Sequence, residues 1–380
     1  MHPSARRLTA LAVPSFAAGA MVLLTLPAAP GAAETTGTAA AAPRPAVHDA
    51  ADTAAEQRTV RKFWTTARME AARPLEAPST GSRHFAAAAS ALLDASGASP
   101  AAVAPTSAPA SAPTGATSGV SMQAAASGAA AAGSSVYVSS RTSGSSWTAG
   151  GTIARTTGRV FFTVTAGSDA GRNASCTGTA VTSANKSVVI TAGHCVKVNG
   201  AFHANWVFVP GYDQGNRPDG TWPATTLLTT SQWNSGENMN YDVAAAVVAP
   251  QGGKSLTDVV GGQGVAFNQP RGRQTYAFGY PAGAPYDGSR LVYCSGRTFD
   301  DYLSSEDQGL SCGMTGGSSG GPWLLNFSQS TGGGMVNSVN SFKYNFAPSW
   351  MFGPYFGPEA EAVYNTAQNT AQNTTQEPAR

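Results

Sequence analysis

Charged side chains are scarce in this 380-residue chain. They make up 12% of the residues, and the formal net charge is only +2. The chain has no basic stripe of the kind that attracts nucleic acid and no polybasic patch for an anionic membrane surface. We therefore expect no nucleic acid among the partners of this protein.

Cysteine is absent from the first 175 residues, and the four cysteines of the chain are Cys176, Cys195, Cys294 and Cys312. An even number of cysteines in an exported protein indicates disulfides, and four cysteines allow three pairings. Their order favours Cys176–Cys195 and Cys294–Cys312. No short cysteine pair with nearby histidines suggests a zinc site, so we expect no metal and no cofactor.

Long apolar runs are also absent after the N-terminus. Arg6 and Arg7 precede an apolar run from Leu8 to Leu26, and small residues follow. This three-part pattern is typical of a secretory signal, so residues 1–33 are predicted to be a signal peptide and the protein to be secreted and extracellular. The alternative is an N-terminal membrane anchor, although Pro14 interrupts the run. Once the signal is cleaved, we expect no membrane association.

Aromatic residues are missing from residues 86–135, which are rich in alanine, serine and proline. Such a segment has little apolar surface to offset the entropy of ordering, so it is predicted to be a linker. Residues 50–76 differ, because apolar residues recur there at helical spacing. They are predicted to form an amphipathic helix. The members of this apolar stripe are Val60, Phe63, Trp64, Ala67 and Ala71.

From about Ile153 onward the chain consists of short runs of Val, Ile, Thr, Phe and Tyr separated by Gly, Asn, Asp and Pro. This pattern predicts an all-β domain, either a sandwich or one or two closed antiparallel barrels. The end of the chain, residues 366–380, is predicted to be a disordered tail. The candidate strands are Val160–Thr165, Val188–Thr191, Trp206–Val209, Val243–Val248, Thr275–Gly279, Leu291–Tyr293, Pro322–Leu325 and Met335–Ser341.

Three segments of the β region together offer one group for each role in peptide-bond hydrolysis. The first is Thr191–Val196, which contains His194. An imidazole is suited to accept and return a proton near neutral pH. A lone histidine at a strand end is also often a packing residue, but the adjoining cysteine fixes this one near a cross-link.

The second segment contains Asp242, directly before the apolar run Val243–Val248. A carboxylate at the edge of a core needs a partner, which a histidine can provide. The alternative is that Asp242 caps a turn after Asn240. Other aspartates lie in glycine-rich loops or late in the chain, so Asp242 is the preferred candidate.

The third segment, Gly316–Trp323, surrounds Ser319 with glycines. A serine on a tight glycine turn exposes backbone N–H groups that can stabilise an oxyanion. The N–H groups of Gly317 and Ser319 are the candidate donors. A flexible Gly-Ser loop is the alternative, which the following Pro322 and apolar strand disfavour.

Taken together, and in the order His, Asp, Ser, these segments resemble the chymotrypsin/trypsin family of serine proteases, in particular secreted bacterial trypsin-like and glutamyl-endopeptidase-like members. The segments that carry the resemblance are Thr191-Ala-Gly-His-Cys195, Gly317-Ser-Ser-Gly-Gly-Pro322 and Phe278-Gly-Tyr-Pro281. The resemblance implies a fold of two six-stranded antiparallel β-barrels with His194, Asp242 and Ser319 as the triad. It also supports the Cys176–Cys195 pairing.

Four parts are therefore expected in the chain. The residue pattern predicts the signal peptide 1–33 and the tail 366–380, and the resemblance implies a propeptide and linker over 34–150 and a trypsin-like protease domain over 151–365. Trp64–Met69 and Arg73–Leu75 are similar to segments of the propeptides of secreted bacterial enzymes of this kind. The protein is thus expected to be a zymogen, a monomer whose partners are polypeptide substrates and its own pro-segment.

Two positions depart from the family pattern. Ser318 stands where animal members have the aspartate that pairs with a freed N-terminus, which implies that this activation switch is absent. Gly313 stands where trypsin-like members place an acid, so trypsin specificity is unsupported. Ser338 and Ser341 are alternatives for a hydrogen bond to the substrate backbone.

The resulting hypothesis is a secreted serine endopeptidase that acts through an acyl-enzyme on Ser319. One alternative is a catalytically inactive homologue that serves as an extracellular binding protein, because folds persist when chemistry is lost. An esterase that uses the same three residues is another. The presence of His194, Asp242 and Ser319 together argues against the inactive homologue.

Overall fold

The computed structural model of the protein describes residues 44–75, 98–108 and 142–371. The predicted signal peptide 1–33 lies outside these residues, as does most of the predicted linker. The first described parts contain β1 (Ala46–Asp49), α1 (Ala54–Phe63), α2 (Thr66–Ala71), β2 (Arg73–Pro74) and β3 (Ala101–Val103).

The helix predicted within residues 50–76 is confirmed, although it is divided into α1 and α2. Thr53 and Glu56 form a capping box that starts α1, and the hydroxyl of Thr65 caps the start of α2. A new N-cap satisfies the unpaired N–H groups of a second helix, so the chain can turn between the two.

The remaining described residues begin with the elements of the first half. These are β4 (Thr142–Ser146), α3 (Gly151–Thr156), β5 (Thr157–Thr163), β6 (Asn173–Val181), β7 (Val188–Thr191), β8 (Lys197–Val198), β9 (Ala201–Phe202), β10 (Ala204–Pro210), β11 (Trp222–Thr229), α4 (Ser231–Gly236) and β12 (Ala244–Val248). Short 3₁₀ turns cover Gly193–Cys195 and Met239–Tyr241.

The second half contains α5 (Leu256–Val260), β13 (Gly264–Phe267), β14 (Gln274–Gly279), β15 (Val292–Arg297), β16 (Phe299–Asp300), β17 (Gln308–Ser311), β18 (Pro322–Ser328), β19 (Gly333–Val339), β20 (Trp350–Gly353) and α6 (Pro358–Asn369). All eight candidate strands of the sequence analysis coincide with or overlap these strands, and the all-β prediction is confirmed.

Six strands close the first barrel. The hydrogen-bonded order is β11, β10, β5, β6, β7 and β12, and β12 pairs back onto β11 in antiparallel register. Closure leaves no open edge within the ring. Large apolar side chains such as Phe161, Phe208 and Leu227 are fully buried.

A second barrel arises from two further sheets. One follows the order β3, β13, β19, β18, β14, β15 and β4, and the other follows β16, β17 and β20. Ala277, Leu310, Trp323 and Met351 pack together in the core of this half. The predicted chymotrypsin-like fold of two β-barrels is therefore confirmed.

Two predictions about the flanking segments were wrong where the structure describes them. Residues 101–103, within the predicted linker, form β3 and pair antiparallel with β13. Thr366–Asn369, within the predicted disordered tail, belong to α6. Apolar residues of α6, including Val363 and Ala367, are fully buried, so packing on the domain orders this segment. Residues 372–380 lie outside the described residues.

Both predicted disulfides are confirmed: Cys176 pairs with Cys195 and Cys294 pairs with Cys312. No helix in the described part of the chain is long and apolar enough to cross a membrane.

Candidate active site

His194 lies on the 3₁₀ turn that follows β7, and its side chain is completely buried. The turn needs glycine at position 193, because a Cβ there would lie 2.7 Å from the indole ring of Trp233. The His194 backbone N–H donates to Asp242 Oδ1 at 2.8 Å, and His194 Nδ1 lies 2.7 Å from Asp242 Oδ2. The carboxylate therefore fixes both the backbone and the ring of His194.

Strand register explains why Asp242 and His194 meet. In the antiparallel pairing of β7 with β12, Thr191 lies opposite Ala244. The residues just after Thr191 and just before Ala244 therefore leave the barrel at the same place. Asp242 is fully buried, and it also accepts a hydrogen bond from the Ser341 hydroxyl at 2.5 Å. Three donors, two from His194 and one from Ser341, therefore hold the side chain of Asp242 in place.

The second ring nitrogen of His194, Nε2, is buried and has no hydrogen-bond partner among the described residues. With Nδ1 donating to Asp242, Nε2 carries a lone pair. This nitrogen is thus suited to take a proton from a nearby acid.

A second buried histidine, His203, contacts the backbone carbonyl of His194. His203 Nε2 lies 3.0 Å from the backbone oxygen of His194, and its ring stacks on Phe162 with a centroid distance of 4.3 Å. Burial lowers the pKa of His203 to about 4, so its ring is neutral at pH 7 and donates from Nε2. Trp206 Nε1 donates to the next carbonyl, that of Cys195.

Ser319 lies on a turn that leads into β18, and only 5% of its surface is exposed. Gly317 and Gly320, on either side of it, have φ angles of +92° and +78°, which L side chains rarely adopt. A Cβ at Gly320 would also collide with the Thr191 hydroxyl and lie 2.8 Å from Ala192 N. The glycines therefore allow Ser319 to approach the segment that carries His194.

The loop Gly316–Gly321 carries the predicted nucleophile Ser319 and is called the nucleophile loop below. Several of its carbonyl groups accept hydrogen bonds from neighbouring residues. Thr177 donates to two of its carbonyls, from its hydroxyl to Gly317 at 2.9 Å and from its N–H to Ser319 at 2.8 Å. Within the described residues, the N–H groups of Gly317 and Ser319 have no hydrogen-bond acceptor. These two donors are therefore available to a substrate oxygen.

The structure pairs His194 with Asp242 and places Gly320, next to Ser319, against Thr191 and Ala192, but no hydrogen bond joins Ser319 to His194 in the described residues. The sequence analysis missed the contacts that support these residues. Ser341 bonds to Asp242, whereas the Ser338 hydroxyl donates to Pro354 O and lies apart from these groups. Thr177 and Asn340 also escaped prediction. No local sequence signal marks them, because their side chains contact the loop around Ser319 across 140 residues for Thr177 and 22 for Asn340.

A metal site is not formed by the donor atoms gathered here. Among the described residues, one group of three potential ligands lies within 4.8 Å: Cys176, His194 and Cys195. Its two cysteines are joined to each other, so neither offers the thiolate that a metal would need.

Comparison with known proteins places the chain in a family. No family model and no curated protein matches it. Among solved structures, the protease Anisep from Arthrobacter nicotinovorans is 44% identical, with a TM-score of 0.55, over 60% of this chain and all of that one. A thermostable serine protease, AL20, from an extremophilic microorganism is 42% identical, with a TM-score of 0.54, over 58% of this chain and all of that one. The chain therefore belongs to the chymotrypsin/trypsin-like family of serine proteases.

Proposed function

We propose that this protein is a secreted serine endopeptidase, made as a precursor, with His194, Asp242 and Ser319 as its catalytic triad. The observation that carries the proposal is the buried Asp242–His194 pair at 2.7 Å, in which His194 Nε2 has no hydrogen-bond partner among the described residues. Gly320, next to Ser319, lies against Thr191 and Ala192, on the segment that leads to His194. Its similarity to two proteases over their full length supports the same chemistry.

The reaction would proceed through an acyl-enzyme. His194 Nε2 takes the proton of the Ser319 hydroxyl while Oγ forms a bond to the substrate carbonyl carbon. The resulting oxyanion accepts hydrogen bonds from the N–H groups of Gly317 and Ser319. The imidazolium, stabilised by Asp242, then protonates the leaving amine as the C–N bond breaks. Water repeats the sequence on the ester and releases the acid.

We propose that residues 34–150 include the pro-segment and that its first described part is an internal partner of the enzyme. Trp64, Met69 and Leu75 are buried on the first barrel. The N–H of Leu75 donates to the Ser175 carbonyl at 3.0 Å, directly before Cys176. This position is next to Cys176, whose disulfide partner Cys195 directly follows His194. The two disulfides fit an extracellular enzyme.

The proposal is tested by mass-spectrometric mapping of a peptide library cut by the secreted protein, with Ser319→Ala in parallel. We expect defined cleavage sites for the wild type and a rate about a millionfold lower for the variant, whose fold should be intact. Equal cleavage by both proteins would move the nucleophile elsewhere. If neither protein cleaves after removal of the pro-segment, the inactive binding homologue is favoured instead.

A further inference from the structure

Asn340 lies just after β19 and is completely buried. Both the nitrogen and the oxygen of its side-chain amide have hydrogen-bond partners. Its Nδ2 donates to Phe278 O at 2.8 Å and to Ser318 O at 3.0 Å, while its Oδ1 accepts from Trp323 Nε1 at 2.8 Å. These partners also fix the orientation of the amide, because a flipped group would direct its oxygen at two carbonyls.

The backbone of Asn340 holds the same loop. Its carbonyl accepts from Gly320 N and its N–H donates to Gly321 O, both at 2.8 Å. Asn340 therefore contacts Ser318, Gly320 and Gly321, on both sides of Ser319. Leaving a buried polar group without a hydrogen-bond partner costs free energy. The hydrogen bonds between Asn340 and the loop would be lost if the loop moved, so they define its position.

The bond to Ser318 O has a specific geometric consequence. The Ser318 carbonyl and the Ser319 N–H belong to one peptide plane, which is trans. In a trans plane the C=O and the N–H point in opposite directions. Ser318 O also accepts from the backbone N–H of Gly321 at 2.9 Å. The side chain of Asn340 and this backbone bond together hold the carbonyl, so the Ser319 N–H points away from Asn340.

The other proposed oxyanion donor, the N–H of Gly317, is oriented by a backbone hydrogen bond. The Gly316 carbonyl, which shares its plane with the Gly317 N–H, accepts from the backbone N–H of Ala282 at 2.7 Å. The Gly316–Gly317 peptide is thus oriented by a backbone N–H, and the Ser318–Ser319 peptide is oriented in part by the side chain of Asn340. Substitution of Asn340 therefore tests the orientation of the Ser318–Ser319 peptide.

We infer that Asn340 is the positioning residue for the oxyanion donor of Ser319, an inference that rests on the proposed function. Its neighbour Ser341 donates to Asp242. The dipeptide Asn340–Ser341 therefore fixes both the oxyanion donor and the carboxylate of the triad. Asn340 does not touch the reacting atoms, and it acts through the Ser318–Ser319 peptide.

The test compares wild type, Asn340→Asp and Asn340→Ser on a peptide that the wild type cleaves. Asn340→Asp keeps the size of the side chain but places an oxygen near two carbonyls. We expect kcat to fall between about tenfold and a few hundredfold, the upper value being the loss of one oxyanion donor. KM should change less than about threefold, because the donor acts mainly in the transition state. In Asn340→Ser, which adds no charge, the pKa values of the pH–rate profile should stay unchanged.

Asn185 provides a matched control. Its Nδ2 also donates to two carbonyls, Ala367 O at 2.8 Å and Thr370 O at 3.0 Å, far from the nucleophile loop. We expect Asn185→Ala to lower the melting temperature without changing kcat. Rates are expressed per active site titrated with a fluorophosphonate, so unfolded molecules do not contribute.

Wild-type kcat per titrated site in both Asn340 variants would overturn the inference while leaving the proposed function intact. An equal loss of kcat in Asn185→Ala would also overturn it, since the effect would then be a general one of destabilisation. A wild type that neither cleaves peptides nor reacts with the fluorophosphonate would instead contradict the proposed function on which the inference depends.

Discussion

The two halves of the molecule hold their site residues in different ways. In the first barrel, His194 and Asp242 leave neighbouring strands of a closed ring and form a fully buried pair. In the second, Ser319 lies on a loop outside the strands, held by individual hydrogen bonds from Thr177, Ala282 and Asn340.

This difference predicts which substitutions should disturb each part of the site. Strand register fixes the acid–base pair through many ladder bonds, so few single substitutions in the ladder should displace it. The nucleophile loop depends on a few groups, each of which orients one or more of its peptides. Damage to the first half should therefore act on proton transfer, and damage to the second on stabilisation of the oxyanion.

The largest expected effect comes from breaking the acid–base pair. Asp242→Asn keeps the shape of the side chain but removes its charge and favours the wrong histidine tautomer. We expect kcat to fall by about 10⁴-fold with the fold retained. Steady-state kinetics and circular dichroism check this. A loss of less than tenfold in a folded variant would remove Asp242 from the proposed triad.

The two disulfides offer a second comparison, because they close loops of similar length, with sequence separations of 19 and 18. Replacing either cysteine pair by serine should cost about 3 kcal/mol of unfolding free energy. Only loss of Cys176–Cys195 should also lower kcat, because this bond joins the turn of His194 to the strand of Thr177. Equal kcat values for both double variants would contradict this distinction.

An effect on stability that appears only at acid pH is expected from His203 in the first half. Its folded-state pKa, about 4, lies below the usual 6.5, so the unfolded chain binds more protons between these values. Stability should therefore be complete above pH 6.5 and fall by about 3 kcal/mol as the pH drops to 4. His203→Gln keeps a donor for the His194 carbonyl without titrating. Urea unfolding should show a weaker pH dependence for this variant, and an unchanged dependence would contradict the assignment.

Some strands could be predicted from the sequence and others could not, for a physical reason. β7 and β12 are runs of Val, Ile and Ala and were predicted. β6 and β11 were missed, because both carry many threonines inside the barrel. These threonines are compatible with a core since their hydroxyls bond to backbone carbonyls, as Thr225 does to Val247 and Thr229 to Val243. Local hydrophobicity gives no sign of such bonds.

Some residues of the site could likewise be predicted from the sequence and others could not. His194, Asp242 and Ser319 lie in short segments of distinctive composition, so they could be proposed as a set. Asn340 acts on Ser318 across 22 residues, and Thr177 acts on Gly317 across 140. Contacts of this kind follow from how the two barrels pack, so they are visible only in the folded structure.

The most direct test of the central claim is to locate a covalent adduct. The protein, after removal of the proposed pro-segment, is treated with a fluorophosphonate, digested and sequenced by tandem mass spectrometry. The account predicts one modified residue, Ser319, and no labelling of Ser318 or of the His194→Ala variant. An adduct on another serine, or labelling that does not need His194, would contradict the proposed triad.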